Sequence, residues 1–267
     1  MATRRSRTNV IELDITQRCN LMCNNCTRRC DLFKGLGHDI DKKGISQFIQ
    51  DSLDCNHQWA RIFVMGGEPT LHPQYRQIME MLDQHVKNYD PSCQVILVSN
   101  CLTLDSRKKL DQLESSGFLV RRSPKTTPDN KFWTVNVAPI DFEEFAGVDF
   151  GVGCSQQVKC GLHRSVNGLY YGCSIAGGID EVFDLGTGTY FLQEVLNPIG
   201  RRNQFVKTCG YCGRFRLRYL VRPNGKCREA DFFDPSLRKL FIEHCLEYPL
   251  YSGERVLSKS WKEKFPE

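Results

Sequence analysis

The sequence of 267 residues contains no long apolar run. No stretch approaches the roughly eighteen consecutive apolar residues that a membrane-spanning helix needs, so we expect no membrane association. The basic start is not followed by an apolar segment, and we therefore expect no secretory signal. There is also no internal repeat and no low-complexity tract, which argues against repeat and compositionally biased architectures.

A strong excess of one charge is missing as well. The chain has 36 Lys and Arg against 31 Asp and Glu, a net charge of +5, which favours an anionic partner only slightly. Hydrophobic residues make up 40% and charged residues 25%, as in ordinary globular proteins. We expect a cytoplasmic protein with a sizeable core, either one large domain or a domain with an appendage.

What the sequence does have is fourteen cysteines. Without an export signal these do not fit a disulfide framework, because the cytosol keeps thiols reduced. We therefore predict that several of them ligate a metal ion or an iron–sulfur cluster.

The first half of the chain alternates between strand and helix patterns. Apolar, β-rich runs predict strands at Val10–Ile15, Arg61–Met65, Gln94–Ser99, Phe118–Arg121, Phe132–Ala138 and Val148–Val152. Amphipathic periodicity predicts helices at Ile45–Leu53, Gln74–Val86 and Ser106–Leu113. This order predicts an α/β fold with a parallel sheet or partial barrel, with the chemistry at the carboxyl ends of the strands.

The pattern changes after Gly153. Glycine and cysteine become frequent, and turn signals appear at Val166–Gly168 and Pro223–Gly225. We expect a core domain over residues 1–153, a small cysteine-rich domain with a β-hairpin over 154–230, and a C-terminal helix with a tail over 231–267. The helix is predicted at about Ser236–Glu247.

Three cysteines follow the first predicted strand with the spacing Cys19-x3-Cys23-x2-Cys26. Three thiolates on a four-iron cluster leave one iron without a protein ligand, and that iron can take a small chelating ligand. Structural zinc normally has four protein ligands, so zinc fits this spacing less well. Cys30 as a fourth ligand would close the open position, and we interpret it as a small buried hydrophobe.

A second motif follows the second predicted strand, with the sequence MGGEPTLHP at Met65–Pro73. Together with the CxxxCxxC motif it resembles the radical S-adenosylmethionine (SAM) superfamily, whose fold is a partial (β/α)6 barrel. The resemblance implies that Gly66, Gly67 and Glu68 bind the ammonium group of SAM. Ser99 and Asn100 end the third strand, where the family places the SAM ribose and carboxylate; the alternative is that Asn100 caps the next turn.

The same resemblance implies a mechanism. The open iron binds SAM, a reduced cluster cleaves the sulfonium, and a 5′-deoxyadenosyl radical abstracts hydrogen from the substrate. The cofactor supplies the difficult chemistry while the protein orients it and excludes water. A flavodoxin- or ferredoxin-type partner would supply the electron. One departure is Asn25, where the family often has an aromatic residue against the adenine.

The downstream cysteines form a second set. Their spacing resembles the SPASM/Twitch extension of radical SAM enzymes, in its shorter form with a single auxiliary four-iron cluster. Cys173, Cys209 and Cys212 would be three ligands, and either Cys154 or Cys160 the fourth. A structural zinc ribbon with the same thiols is the alternative. An auxiliary cluster would relay an electron or hold a poorly packed domain together.

Arginines crowd behind the last of these cysteines, at Arg214, Arg216, Arg218, Arg222 and Arg228. They predict an anionic substrate, because guanidinium groups suit phosphate and carboxylate. The alternative is a solvated strand face, since the first three alternate with apolar residues. Further polar candidates for substrate contact are Arg121, Arg122, Asn136, Asp141, His163 and Tyr170.

Two functions remain from the sequence. The first is a radical SAM enzyme with two four-iron clusters that oxidises, epimerises or rearranges a polar or phosphorylated substrate: a nucleotide, a sugar, or a modified base in nucleic acid. The second is a non-catalytic, cysteine-rich zinc or iron–sulfur protein that binds nucleic acid.

Overall fold

The structure, a computed structural model, describes residues 8–30, 37–125, 132–154, 161–216, 248 and 251–265. Its main sheet has six strands, and a separate sheet has two. The strands are β1 (Val10–Thr16), β2 (Arg61–Gly66), β3 (Gln94–Ser99), β4 (Leu119–Arg122), β5 (Phe132–Trp133), β6 (Leu162–Arg164), β7 (Tyr170–Tyr171) and β8 (Tyr251–Ser252).

The helices are α1 (Lys42–Asp54), α2 (Tyr75–Tyr89), α3 (Leu104–Ser115), α4 (Ala176–Phe183), α5 (Leu192–Leu196), α6 (Pro198–Thr208), α7 (Gly213–Arg216) and α8 (Lys259–Lys264). Side chains cap several of their first turns: Asp41 accepts from the Gly44 amide at the start of α1, and Thr103 from the Ser106 amide at the start of α3. In the described part of the chain, none of these helices is long and apolar enough to cross a bilayer.

The main sheet has the order β4-β3-β2-β1-β6-β7. β1 to β4 and β6 run parallel to one another, and β7 runs antiparallel to β6 at the end of the sheet. The four consecutive strands are joined by α1, α2 and α3, as expected for βαβ units. Ile11, Leu13 and Ile15 of β1 belong to the large apolar core, whereas the alternating Glu12 and Asp14 belong to the opposite face of the sheet.

The first four predicted strands and the three predicted helices are confirmed. The fifth and sixth strands are wrong as strands of the main sheet. Only Phe132–Trp133 of the fifth forms a strand, and it pairs with β8. The sixth is a 3-10 turn at Phe150–Val152, because the Asp149 carboxylate accepts from the Gly151 amide and so caps a tight turn.

Residues after β5 pack in a second, smaller core. It consists of Val135, Ala138, Ile175, Ile179, Cys212 and Trp261. The β6–β7 hairpin, predicted for a separate domain, instead extends the main sheet beside β1. The two expected domains therefore share strands and core on both sides of residue 153. The predicted helix at Ser236–Glu247 lies outside the described residues.

Candidate functional site

The loop with the first thiol set follows β1 and spans Cys19–Cys30. We call it the cluster loop. Two backbone hydrogen bonds fold it, from the Cys26 amide to the Cys23 carbonyl at 3.1 Å and from the Arg29 amide to the Cys26 carbonyl at 3.3 Å. Cys19, Cys23 and Cys26 are all partly exposed. Burial raises the pKa of Cys19, and the charges of Cys26 and Glu68 raise it further. The loop therefore brings thiols together beside the end of β2.

Two glycines fit the end of β2 against this loop. Gly66 has φ of +129°, and a Cβ there would lie 2.3 Å from the Thr16 carbonyl oxygen. A Cβ on Gly67 would lie 2.1 Å from the Arg18 carbonyl oxygen. The Glu68 amide donates to that same oxygen at 2.8 Å. The absence of side chains thus lets β2 approach the segment that leads to Cys19.

Glu68 is completely buried and accepts four hydrogen bonds. Its Oε1 accepts from the Thr70 amide at 3.1 Å, the Thr70 hydroxyl at 2.7 Å and the Ser99 hydroxyl at 2.8 Å. Its Oε2 accepts from the Asn100 amide at 2.7 Å. Glu68 and Ser99 therefore connect the ends of β2 and β3, a structural role that their prediction as cofactor contacts did not include.

Asn100 extends this connection to the cluster loop. Its Nδ2 donates to Asn20 Oδ1 at 2.8 Å, and its Oδ1 accepts from the Leu102 amide at 2.9 Å. The second bond is the turn cap that was the alternative reading. The first holds Asn100 beside the residue that follows Cys19, so the carboxyl ends of β1, β2 and β3 meet at one edge.

A buried group of charged side chains lies behind the loop, on the face of the sheet opposite to the large apolar core. Arg28 pairs with Glu12 and with Asp14, the latter at 3.3 Å. His163 Nε2 lies 2.9 Å from the Asp14 carboxylate. Burial alone would raise the pKa of Asp14, but Arg28 and His163 outweigh it and lower that pKa. This group ties the cluster loop to β1 and β6.

Cys30 is buried next to the third cysteine. Its hydrogen bond to the Cys26 side chain, and burial, raise its pKa. The sequence indicated a thiol outside the ligand set, and the structure adds that this thiol is in contact with that set.

A cavity of about 330 Å³ adjoins the same loop. Arg28 and Cys30 line it on the loop side, and Asp14 and Thr16 on β1. His163 comes from β6, and the first residues of α4 close the other side. Of the polar candidates from the sequence, His163 alone is among the residues that line this cavity.

The described cysteines of the second thiol set also lie close together. Cys154, Cys173, Cys209 and Cys212 line one small pocket with Ile175, Ala176, Ile179, Thr208, Arg214 and Phe215. Burial raises the pKa of Cys209 well above its usual value, and the nearby charges of Cys154, Cys212 and Cys173 add to the effect. Burial raises the pKa of Cys212 to about 12. Cys154 is the fourth thiol among the described residues that line this pocket, and Cys160, the other candidate, lies outside the described residues.

The donor chemistry of both sets suits iron–sulfur clusters, which are held by cysteine thiolates. In the described residues no three His, Cys, Asp or Glu side chains are arranged to hold a single metal ion.

Arg29 and Trp261 lie between the two thiol sets, and the sequence reading missed both. The Arg29 guanidinium lies 5.1 Å from the centre of the Trp261 ring. Trp261 Nε1 donates to the carbonyl of Tyr211, between Cys209 and Cys212, at 2.8 Å. The only signal was a tryptophan in an otherwise charged tail. The last described segment thus connects the two sets.

The other polar candidates have internal partners. Asn136 accepts from Arg29, Asp141 accepts from the Ser260 amide at 3.0 Å, and the Tyr170 hydroxyl donates to Asp51 of α1 at 2.6 Å. They hold elements together, and none of the three lines the large cavity.

The arginines are dispersed as well. Arg122 pairs with Asp111 at 2.7 Å on the outside of α3, and Arg214 stacks on Trp133 at 3.9 Å. Gly213–Arg216 is a helical turn, so the alternative of a solvated strand face is wrong for these residues. Arg121 is exposed at the end of β4. Arg218, Arg222 and Arg228 lie outside the described residues.

Comparison with known proteins agrees with the first thiol set. Residues 13–134 match the family described as "4Fe-4S single cluster domain". This range includes Cys19, Cys23, Cys26 and the Gly66–Glu68 motif, whereas the second thiol set lies beyond it.

Two crystal structures of BtrN resemble the chain. The first, selenomethionine BtrN in an open conformation, has a TM-score of 0.46 at 14% identity and covers 83% of this chain and 92% of its own. The second, BtrN in complex with AdoMet and 2-DOIA, has a TM-score of 0.45 at 13% identity and covers 79% and 89%. No curated protein matches the sequence.

Proposed function

We propose that this protein is a radical SAM enzyme with two four-iron clusters, one that binds SAM and one auxiliary. The observation that carries the proposal is the meeting of three motifs at one sheet edge. Asn100 donates to Asn20 of the Cys19–Cys26 loop, and Ser99 donates to Glu68. The Glu68 amide donates to the carbonyl of Arg18, directly before Cys19. The family match over residues 13–134 supports a four-iron cluster in this region.

In this proposal Cys19, Cys23 and Cys26 hold the first cluster. When bound, the cluster and SAM would supply a carbon-centred radical that abstracts hydrogen from the substrate. The chain's own residues bind and orient. Gly66 and Gly67 are partly exposed at the edge and would contact SAM through their backbone, while Asn100 would contact it with its amide.

In this proposal the main role of Glu68 and Ser99 is to hold the ends of β2 and β3 in place. All four hydrogen bonds of the Glu68 carboxylate go to protein donors, which fixes the segments on either side of the SAM site. One oxygen, Oε2, accepts a single bond and keeps a lone pair for the ligand ammonium. The carboxylate thus both braces the edge and gives it negative charge.

Cys154, Cys173, Cys209 and Cys212 would hold the auxiliary cluster. The surrounding Ile175, Ile179 and Phe215 exclude water from their pocket. Four protein thiolates leave no open iron, so this cluster would relay an electron or stabilise the smaller core. A flavodoxin- or ferredoxin-type protein would be the electron donor to the first cluster.

Metal and sulfide analysis after anaerobic reconstitution tests the proposal. We expect about eight irons per chain, and about four after replacement of Cys19, Cys23 and Cys26 by Ala. Replacement of Cys154, Cys173, Cys209 and Cys212 should also leave about four. The matched control is Cys93→Ala, a buried cysteine at the start of β3 away from both sets. Stoichiometric zinc with little iron would contradict the two-cluster proposal and favour a zinc protein.

The second measurement is the formation of 5′-deoxyadenosine from SAM by the reduced protein. Cys30→Ala should retain both cluster content and SAM cleavage. If wild-type protein with about eight irons per chain does not cleave SAM, the enzymatic part of the proposal is refuted.

A further inference from the structure

The large cavity beside the cluster loop has an excess of negative charge. Asp14, Asp180, Glu181 and Asp184 line it, against a single guanidinium, that of Arg28. Arg28 is already bound by two carboxylates, those of Glu12 and Asp14. The Arg28 guanidinium is therefore paired within the fold, and no other Lys or Arg among the described residues lines the cavity.

These carboxylates differ in the number of hydrogen bonds that they accept from the rest of the protein. Asp180 is internal: it accepts from the Thr187 amide at 2.9 Å, the Gly188 amide at 3.1 Å and the Tyr171 hydroxyl at 3.0 Å. Glu181 accepts a hydrogen bond from Gln17 at 2.8 Å. Asp184 makes no side-chain hydrogen bond or ion pair with any other described residue.

Glu181 and Asp184 both line the cavity, and both are exposed to solvent. Although Glu181 is exposed, the surrounding protein removes part of its hydration and so raises its pKa, and the Asp14 carboxylate raises it further. A cation beside Glu181 would offset its repulsion by the Asp14 carboxylate.

His163 gives evidence for a bound ligand that does not depend on the carboxylates. Its side chain is almost fully buried at 2% exposure, and Nε2 is engaged by Asp14. Nδ1 has no partner among the described residues. That edge of the ring faces Gly177, where a Cβ would lie 2.8 Å from Nδ1. Gly177 lines the cavity beside His163, and its lack of a side chain leaves space next to this edge of the ring. A buried ring nitrogen without a partner is unusual.

We propose that this cavity binds the substrate, a small polar molecule that carries a protonated primary amine, with Glu181 and Asp184 holding the ammonium and His163 Nδ1 bonding a hydroxyl. The proposal rests on the proposed function, because Arg28 and Cys30 of the cluster loop form part of the cavity wall. A volume of about 330 Å³ suits a molecule of hexose size. The acidic lining disfavours the phosphorylated substrate that the arginine content suggested.

The test uses the anaerobically reconstituted full chain and three probes with the same hexose ring: glucosamine, glucose and glucose 6-phosphate. Isothermal titration calorimetry should give at least tenfold tighter binding of glucosamine than of glucose, and weaker binding still of the phosphate. The double variant Glu181→Gln, Asp184→Asn should remove the preference for the amine. Glu194→Gln, an exposed carboxylate on α5 outside the cavity, is the matched control and should retain it.

Equal or tighter binding of glucose 6-phosphate would overturn the proposal, and so would an amine preference that survives the double variant or the absence of binding by all three probes. Both substituted side chains are exposed, so the variant should unfold at the wild-type temperature. Formation of 5′-deoxyadenosine in the same preparation separates the two proposals. SAM cleavage without an amine preference removes only the cavity assignment, whereas an amine preference without clusters or cleavage removes only the radical SAM function.

Discussion

Replacement of Glu68 by Ala tests how the sheet edge is held together. The substitution removes the acceptor of two backbone amides, those of Thr70 and Asn100, at a fully buried position. The Thr70 hydroxyl keeps a neighbour in Ser106 Oγ at 2.8 Å. The Ser99 hydroxyl still accepts from the Cys101 amide but loses the acceptor of its own proton. Each orphaned amide costs about 1–2 kcal/mol, so we expect a loss of about 2–4 kcal/mol in the free energy of unfolding.

Glu68→Gln keeps the acceptor at Oε1 but turns an amide donor toward the Asn100 N–H, and should lose about 1–2 kcal/mol. Urea denaturation followed by far-ultraviolet circular dichroism measures both variants. Glu80→Ala is the control: it removes an exposed pair with Arg76 on α2 and should change stability by less than about 0.5 kcal/mol. A loss below about 1 kcal/mol in Glu68→Ala would mean that the carboxylate does not brace the edge.

The remaining predictions concern a glycine, a tryptophan and an acid. Gly66→Ala should lose about 2–4 kcal/mol in urea denaturation because φ is positive and a carbonyl oxygen blocks the Cβ, whereas Gly117→Ala, also at positive φ but in open space, should lose only about 1 kcal/mol. Trp261→Phe removes the hydrogen bond to the Tyr211 carbonyl and should lower the free energy of unfolding by about 1–2 kcal/mol, measured in the same way; an unchanged midpoint would contradict the contact. The pKa of Asp14 is lowered in the folded state, so its contribution to stability is present above its unfolded pKa and lost as pH falls through the folded pKa. Asp14→Asn should therefore flatten the loss of stability below about pH 5 in urea midpoints measured from pH 3 to 7, and equal slopes would refute this.

The sequence was sufficient for the elements whose pattern is local. Gln94–Ser99 is a strand with the predicted bounds, since Val95–Val98 is a short, continuous and largely β-branched apolar run of typical strand length. The apolar runs near Phe132 and Val148 were too short to distinguish a strand from a turn. Their conformation depends on partners far along the chain: Phe132 pairs with Ser252, and Asp149 caps its own turn. Propensity does not encode such a partner.

The candidate site divides in the same way. The spacing of Cys19, Cys23 and Cys26 is a local property, and it alone indicated three thiols in one loop. The brace at Glu68, the meeting of four downstream thiols and the acidic cavity were decided only by tertiary structure. His163 reaches Asp14 because β6 adds to the sheet beside β1, about 150 positions earlier in the chain. A side chain's electrostatic surroundings are set by what the fold packs against it, so the charge of this cavity, opposite to that suggested by the arginine-rich segment, could not be predicted from composition.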